Sequence, residues 1–277
     1  MADVSHHAGD LAMSIGIRPA FLHEALEIRN SDRGREQAPD ARPSFAKDNA
    51  WPSLKEFRLS PQTRAAHGIV AGNKSDPACA AFDLLRTKLM QTLKQNGWRS
   101  VAITSPMPRC GKSLVAVNLA LSLAELEDTR TVLLDLDLRN PGLATLLEMD
   151  ASPSMEFFLR GEYDVADALR LCGKNLAIGA NLWPARLASE ILQGEAAAKA
   201  LKTMVQDLSA DVVLYDMTSM LTHDDVLAFL PNVDCVILVA AAEQSTFAEI
   251  DACERMLAER TNVLGVVLNK CRHGPAY

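Results

Sequence analysis

The apolar run Val101-Ala102-Ile103-Thr104 leads straight into Ser105-Pro106-Met107-Pro108-Arg109-Cys110-Gly111-Lys112-Ser113, and a Leu- and Ala-rich helical pattern follows. A strand that passes through a Gly-Lys-Ser loop into a helix confines the chain to few architectures. The loop works only where strand end and helix start converge on an anion. Backbone N–H groups and the helix N-terminus offer positive potential to phosphate oxygens, Lys112 adds a full charge, and Ser113 is suited to holding Mg²⁺. Pro106 stands where the strict Gly-x-x-x-x-Gly-Lys-Ser/Thr pattern has glycine, so the reading leans on context: a strand before, a helix after, and acidic residues closing later strands.

That context continues along the chain. Asp76-Pro77 opens a segment in which Phe82, Leu85, Leu89 and Leu93 recur at helical spacing, and Gly97 ends it. Strand patterns follow at 100–104, 131–136, 211–215, 235–240 and 262–268. Helical patterns lie between them at 112–126, 143–148, 165–171, 190–208 and 246–260. Such alternation predicts an α/β fold of the P-loop type, with a mostly parallel sheet covered by helices on both faces. Ahead of it, apolar residues from Leu11 to Leu26 have helical spacing interrupted by Gly16 and Pro19, and residues 30–61 turn polar like a linker. The expected division is a poorly structured N-terminal extension and linker, 1–68, and an ATP-binding domain, 69–277.

The net charge of −7 gives no general attraction to nucleic acid, so none is expected as a partner. Six scattered cysteines without a Cys-x-x-Cys pair fit small buried residues in a reducing compartment. The N-terminus lacks a basic region followed by an apolar core, and no run approaches about 18 apolar residues. The expected location is therefore cytoplasmic, reaching the inner membrane only through a partner.

Ligands in such sheets gather beyond the carboxyl ends of the strands. The second strand ends Asp135-Leu136-Asp137, two carboxylates on one side of an extended chain, and Val212-Val213-Leu214-Tyr215-Asp216 supplies a third. These are the places from which Mg²⁺ and phosphate are oriented.

With these motifs in order, the chain resembles the bacterial tyrosine kinases of capsule and exopolysaccharide export. Their loop reads roughly Ser-Pro-x-Pro-Gly-x-Gly-Lys-Ser, which accounts for Pro106 and Pro108. Phe82 to Thr87, Asn118-Leu119-Ala120, Asp135 to Pro141 and Gly265 to Asn269 extend the similarity. The resemblance implies transfer of the ATP γ-phosphoryl group to tyrosine, with ATP and Mg²⁺ as cofactors and a membrane-embedded polysaccharide chain-length regulator as partner. It also implies a homo-oligomer. Carried over by position, Arg109, Cys110, Gly111, Lys112, Ser113 and Leu114 would cradle phosphates, and Ser113, Asp135 and Asp216 would serve the metal. Lys112, Asp135 and Asp137 would be catalytic, and Asn269 would contact adenine. The partitioning and division-site ATPases share the fold but carry a lysine where this chain has Met107.

Three departures bear on activity. Arg109 stands where the family has glycine, forcing a side chain into a backbone region that costs on the order of 1 kcal/mol. Of the oligomer-forming Glu-x-x-Arg-x-x-Arg, which falls on Ala80, Asp83 and Arg86, only Arg86 is kept. The tail offers the single Tyr277 as phosphoacceptor instead of a tyrosine cluster. A non-kinase ATPase switch and a catalytically impaired nucleotide-binding regulator therefore stay open beside the kinase. Cys110 has two readings as well: a redox-sensitive thiol at a helix N-terminus, or a small residue filling the loop.

Overall fold

The computed structural model describes residues 50–149 and 154–271, together with the backbone of residues 12–14. Its strands are β1 (Ala12–Ser14), β2 (Lys55–Phe57), β3 (Ser100–Ser105), β4 (Thr131–Asp135), β5 (Arg170–Cys172), β6 (Leu176–Gly179), β7 (Val212–Ser219), β8 (Cys235–Ala241) and β9 (Asn262–Cys271). They form one sheet in the order β1-β9-β8-β3-β7-β4-β6-β5-β2. The six strands from β9 to β6 run parallel, while β1 and β5 are antiparallel to their inner neighbours.

The apolar character of the central strands follows from burial on both faces. Ala102, Val132, Leu134, Val213 and Tyr215 point into one core with the helices Met155–Leu159, Glu195–Leu208 and Phe247–Ala258. The alternate residues Val101, Ile103, Leu133, Val212 and Leu214 point into the other, against helices Pro77–Asn96 and Lys112–Leu123. Helix Pro77–Asn96 starts where the Asp76 side chain accepts a hydrogen bond from Ala78 N at 2.9 Å, and it stops at Gly97, whose φ of 68° is left-handed.

The buried Asn118 joins the helix after the loop to the segment before it. Its Oδ1 accepts from Val70 N and Ala71 N at 2.7 and 3.0 Å, and its Nδ2 donates to Leu114 O at 3.0 Å. Arg86, expected at an oligomer contact, is turned inward: it donates to Ser122 O at 2.8 Å and lies 3.2 Å from Asp83 and from Glu125.

Several expectations need correction. The helix expected over 165–171 ends at Ala168, and β5 and β6 follow instead. Segments of three or four residues carry too little periodicity to be read, and pairing decides them. The helical pattern 190–208 is two helices, parted at Gly194, where ψ is 142°. Residues 50–68, assigned to the linker, pack on the sheet. Trp51 is buried, donates Nε1–H to Lys174 O at 2.8 Å and lies 5.5 Å from the Arg130 guanidinium, while β2 extends the sheet beside β5. One tryptophan in a polar stretch anchors what composition alone reads as loose. Of the expected N-terminal helical segment, residues 12–14 pair as a strand on the edge of β9, where unpaired backbone groups favour an added strand; the remainder lies outside the described residues.

Candidate active site

The loop leaves β3 at Ser105, whose hydroxyl donates to Met107 O at 2.8 Å, and reaches the helix at Lys112 through two left-handed residues. Arg109 has φ 66°, as the missing glycine predicts, and Gly111 has φ 90°. A side chain at position 111 would collide with the Asn269 amide, so only glycine fits. Cys110 is buried with its Sγ 3.5 Å from Ser245 Oγ, which favours the space-filling reading over an accessible redox thiol. All six cysteines are free and buried.

The parallel register of β4 and β7 sets Asp135 beside Asp216, and the chain past β4 brings Asp137 to the same place. Lys112 Nζ donates to Asp137 Oδ2 at 2.7 Å and lies 4.0 Å from Asp216 Oδ1. Asp135 Oδ2 accepts from Gly142 N and Leu143 N, both at 3.1 Å. Asp135 Oδ1 and both oxygens of Asp216 are buried without a well-formed hydrogen bond. Thr218 Oγ1 is buried and unpartnered too.

One ammonium thus faces three carboxylates. Burial, with Asp216 next to it, holds the Asp135 carboxyl well above its ordinary range. Burial raises Asp216 to about 6 even though Lys112 and the nearby Ser113 hydroxyl pull it down. Burial works against the Lys112 charge, but Asp216 and Asp137 outweigh it and the lysine is held charged.

This excess of buried negative charge and orphaned oxygen suits a cation. Among the described residues no group of three His, Cys, Asp or Glu side chains could hold a metal by itself. Mg²⁺ takes one or two protein ligands and completes its shell with phosphates and water. Ser113 lies beside Gly142, where a Cβ would come within ordinary contact, 3.4 Å, of its Oγ.

A stability prediction follows. A carboxyl raised from 3.8 to about 6 favours the folded state fully below pH 4, and that contribution is lost as pH rises through 6. Asp216→Asn should therefore stabilise the protein without nucleotide at pH 8 by on the order of 3 kcal/mol, with about half that gain at pH 5. Thermal melts at the two pH values check this; an equal shift at both would show that charge is not the cause.

The structure brings Lys112, Ser113, Asp135, Asp137 and Asp216 together, with Arg109, Cys110, Gly111 and Leu114 in or next to the loop. Asn269, expected as an adenine contact, makes hydrogen bonds within the protein. Its Nδ2 donates to Cys110 O at 2.9 Å and its Oδ1 accepts from Lys270 N at 2.8 Å, so the buried amide is committed to the loop and to its own turn. Tyr277 lies outside the described residues.

The sequence reading missed two contributors, Lys270 and the Arg139–Asp225 pair. Arg139 donates to Asp225 at 2.7 and 2.9 Å and Asn140 N donates to Asp137 Oδ1 at 3.0 Å, fixing the turn that carries Asp137. Asp225 gave no signal, because its partner is 86 residues away. A concavity of about 940 Å³ lies at the opposite strand ends and includes Arg99, Arg130, Lys202, Asp211 and Asp234. Neither the loop nor the three carboxylates line it, and the carboxyl strand ends remain the candidate site.

No protein-family model matches the chain. EpsB of Ralstonia solanacearum is 27% identical over 268 residues, covering 95% of this chain and 35% of that protein. The succinoglycan biosynthesis transport protein ExoP of Rhizobium meliloti is 27% identical over 185 residues, 65% of this chain and 23% of its own length. The chain thus spans about a third or less of the curated relatives it matches. Among solved structures, the kinase domain of the Escherichia coli tyrosine kinase ETK superposes with a TM-score of 0.68 at 22% identity, covering 89% of each chain. In sequence and in fold, the chain is similar to bacterial tyrosine-protein kinases.

Proposed function

We propose that this chain binds Mg-ATP at the Lys112 loop and transfers the γ-phosphoryl group to tyrosine, as a cytoplasmic component of exopolysaccharide or capsule biosynthesis. The observation that carries this reading is one charged lysine at a helix N-terminus facing three buried carboxylates, two with unpaired oxygens. The relatives supply the setting: one is named for succinoglycan biosynthesis transport, and others are named tyrosine-protein kinases. A membrane-embedded chain-length regulator is the proposed partner. Among the described residues no helix is long and apolar enough to cross a membrane.

In this reading Lys112 and the loop N–H groups hold the β- and γ-phosphates, and Ser113 with Asp135 and Asp216 holds the metal and its waters. Mg²⁺ would neutralise charge on the phosphates. Asp135, whose buried carboxyl is less acidic than usual, is suited to accept a proton from an attacking hydroxyl. Asp137 keeps Lys112 aimed while the site is empty of phosphate, and its bond is exchanged when phosphate arrives.

The acceptor is proposed to be Tyr277. Tyr215 is buried in β7 against Phe229, and Tyr163 is 42% exposed in a loop, its ring 5.5 Å from that of Phe157. Incubation with labelled ATP followed by phosphosite mapping should find phosphotyrosine at 277, at a rate that rises with protein concentration as a reaction between subunits does. ATP hydrolysis with no phosphate on Tyr277 would replace the kinase by an ATPase switch.

A further inference from the structure

The strained stretch of the loop does not hold itself. Arg109 and Gly111 are both left-handed, and the residues that grip the two carbonyls between them come from the far end of the chain. Lys270 Nζ donates to Arg109 O at 2.7 Å, and Asn269 Nδ2 donates to Cys110 O at 2.9 Å. Both donors are themselves fixed. Asn269 O accepts from Ala242 N at 2.8 Å, and the Lys270 ammonium also reaches Gln244 Oε1 at 3.3 Å, which ties it to the turn after β8. Lys270 is left-handed, with φ 60°, and the Asn269 Oδ1 contact to its backbone N–H closes that turn.

We propose that Lys270 and Asn269 are positioning residues of the phosphate loop, a two-point clasp by which the end of β9 holds Arg109 and Cys110 in the backbone geometry that a glycine would adopt unaided. The proposal rests on the nucleotide-binding reading for its purpose, and on the hydrogen bonds alone for its existence. In a trans peptide the C=O and the following N–H point in opposite directions. Drawing the carbonyls of Arg109 and Cys110 toward β9 therefore turns the N–H groups of Cys110 and Gly111 away from it, as donors for an anion. A charged donor on the Arg109 carbonyl offsets the cost of a non-glycine residue with positive φ. Position 109 and position 270 are thus coupled: the departure from glycine at one is tolerated because of the lysine at the other.

The test uses the full 277-residue chain. In the absence of nucleotide, Lys270→Ala should speed amide hydrogen exchange across residues 109–113 by about 10-fold, the scale of losing one charge-assisted hydrogen bond, while Lys270→Arg keeps most of the protection. In calorimetry with Mg-ADP, Lys270→Ala should weaken affinity by about 10-fold, again the scale of one such bond. In an Arg109→Gly background the same substitution should cost no more than about 2-fold, since glycine accepts the conformation without help. Unchanged exchange in Lys270→Ala, or an undiminished loss of affinity in the Arg109→Gly background, overturns the clasp. A wild-type protein that binds no Mg-ADP would overturn the nucleotide reading instead, and the exchange measurement would still decide whether Lys270 holds the loop.

Discussion

Lys112→Ala is expected to abolish Mg-ATP binding, with calorimetry showing at least a 100-fold loss of affinity, because it removes the ammonium that faces the three carboxylates and is proposed to meet the β- and γ-phosphates. The substitution also strips the buried Asp137 of its only ion-pair partner among the described residues and brings out its repulsion with Asp216 and Asp135. Breaking a buried pair in this way costs on the order of 3 kcal/mol, enough to threaten folding. The double variant Lys112→Ala/Asp137→Asn separates the two effects. It should recover most of the lost stability, since no unpaired carboxylate is left at 137, and recover none of the affinity. Full affinity in a folded Lys112→Ala variant would remove the phosphate site from this loop.

Asp135→Asn is expected to leave nucleotide affinity within a few-fold of wild type and to lower turnover by about 100- to 1000-fold, the range for removing a positioned acid–base or metal-orienting group. An asparagine is a fair structural substitute here. Its carbonyl oxygen can accept the Gly142 and Leu143 N–H bonds that now go to Oδ2, so helix Leu143–Leu147 keeps its start. Its amide then occupies the position of the orphaned Oδ1 and offers donors where a base or metal ligand is required. Single-turnover kinetics against equilibrium binding distinguish the effects. Equal turnover would reduce Asp135 to the residue that caps the following turn.

The central strands were legible in the sequence because burial on both faces writes itself as an unbroken apolar run, and Val132-Leu133-Leu134 ahead of Asp135 is such a run. The acidic strand ends were legible as positions for the same reason: the apolar runs lead straight into Asp135 and Asp216, which the sheet sets side by side. The positive φ at Arg109 was legible from the resemblance, because the family carries glycine at that position. The edges of the sheet were not legible. β2, β5 and β6 have three or four residues each, too few to show a period; β5 and β6 pair across a three-residue turn, while β2 joins β5 from 115 positions away. The contacts that aim the site were hidden likewise. Arg139 with Asp225 and Lys270 with Arg109 are ordinary charged residues until the fold joins positions 86 and 161 apart.

The position of β3 at the middle of the sheet has a consequence for how the protein is made. Ile103 lies between Asp216 of β7 and Ile237 of β8, so both flanks of the strand that feeds the loop are supplied more than a hundred residues later. At ribosomal speeds the chain waits roughly 5–25 s between emergence of this strand and arrival of its first partner. During that time Val101 to Thr104 is an apolar edge with no ladder on either side, a segment prone to aggregation and to chaperone capture. A chain interrupted before β7 holds the Gly-Lys-Ser motif in its sequence without the sheet that shapes it, so ligand competence arises late in synthesis and all at once.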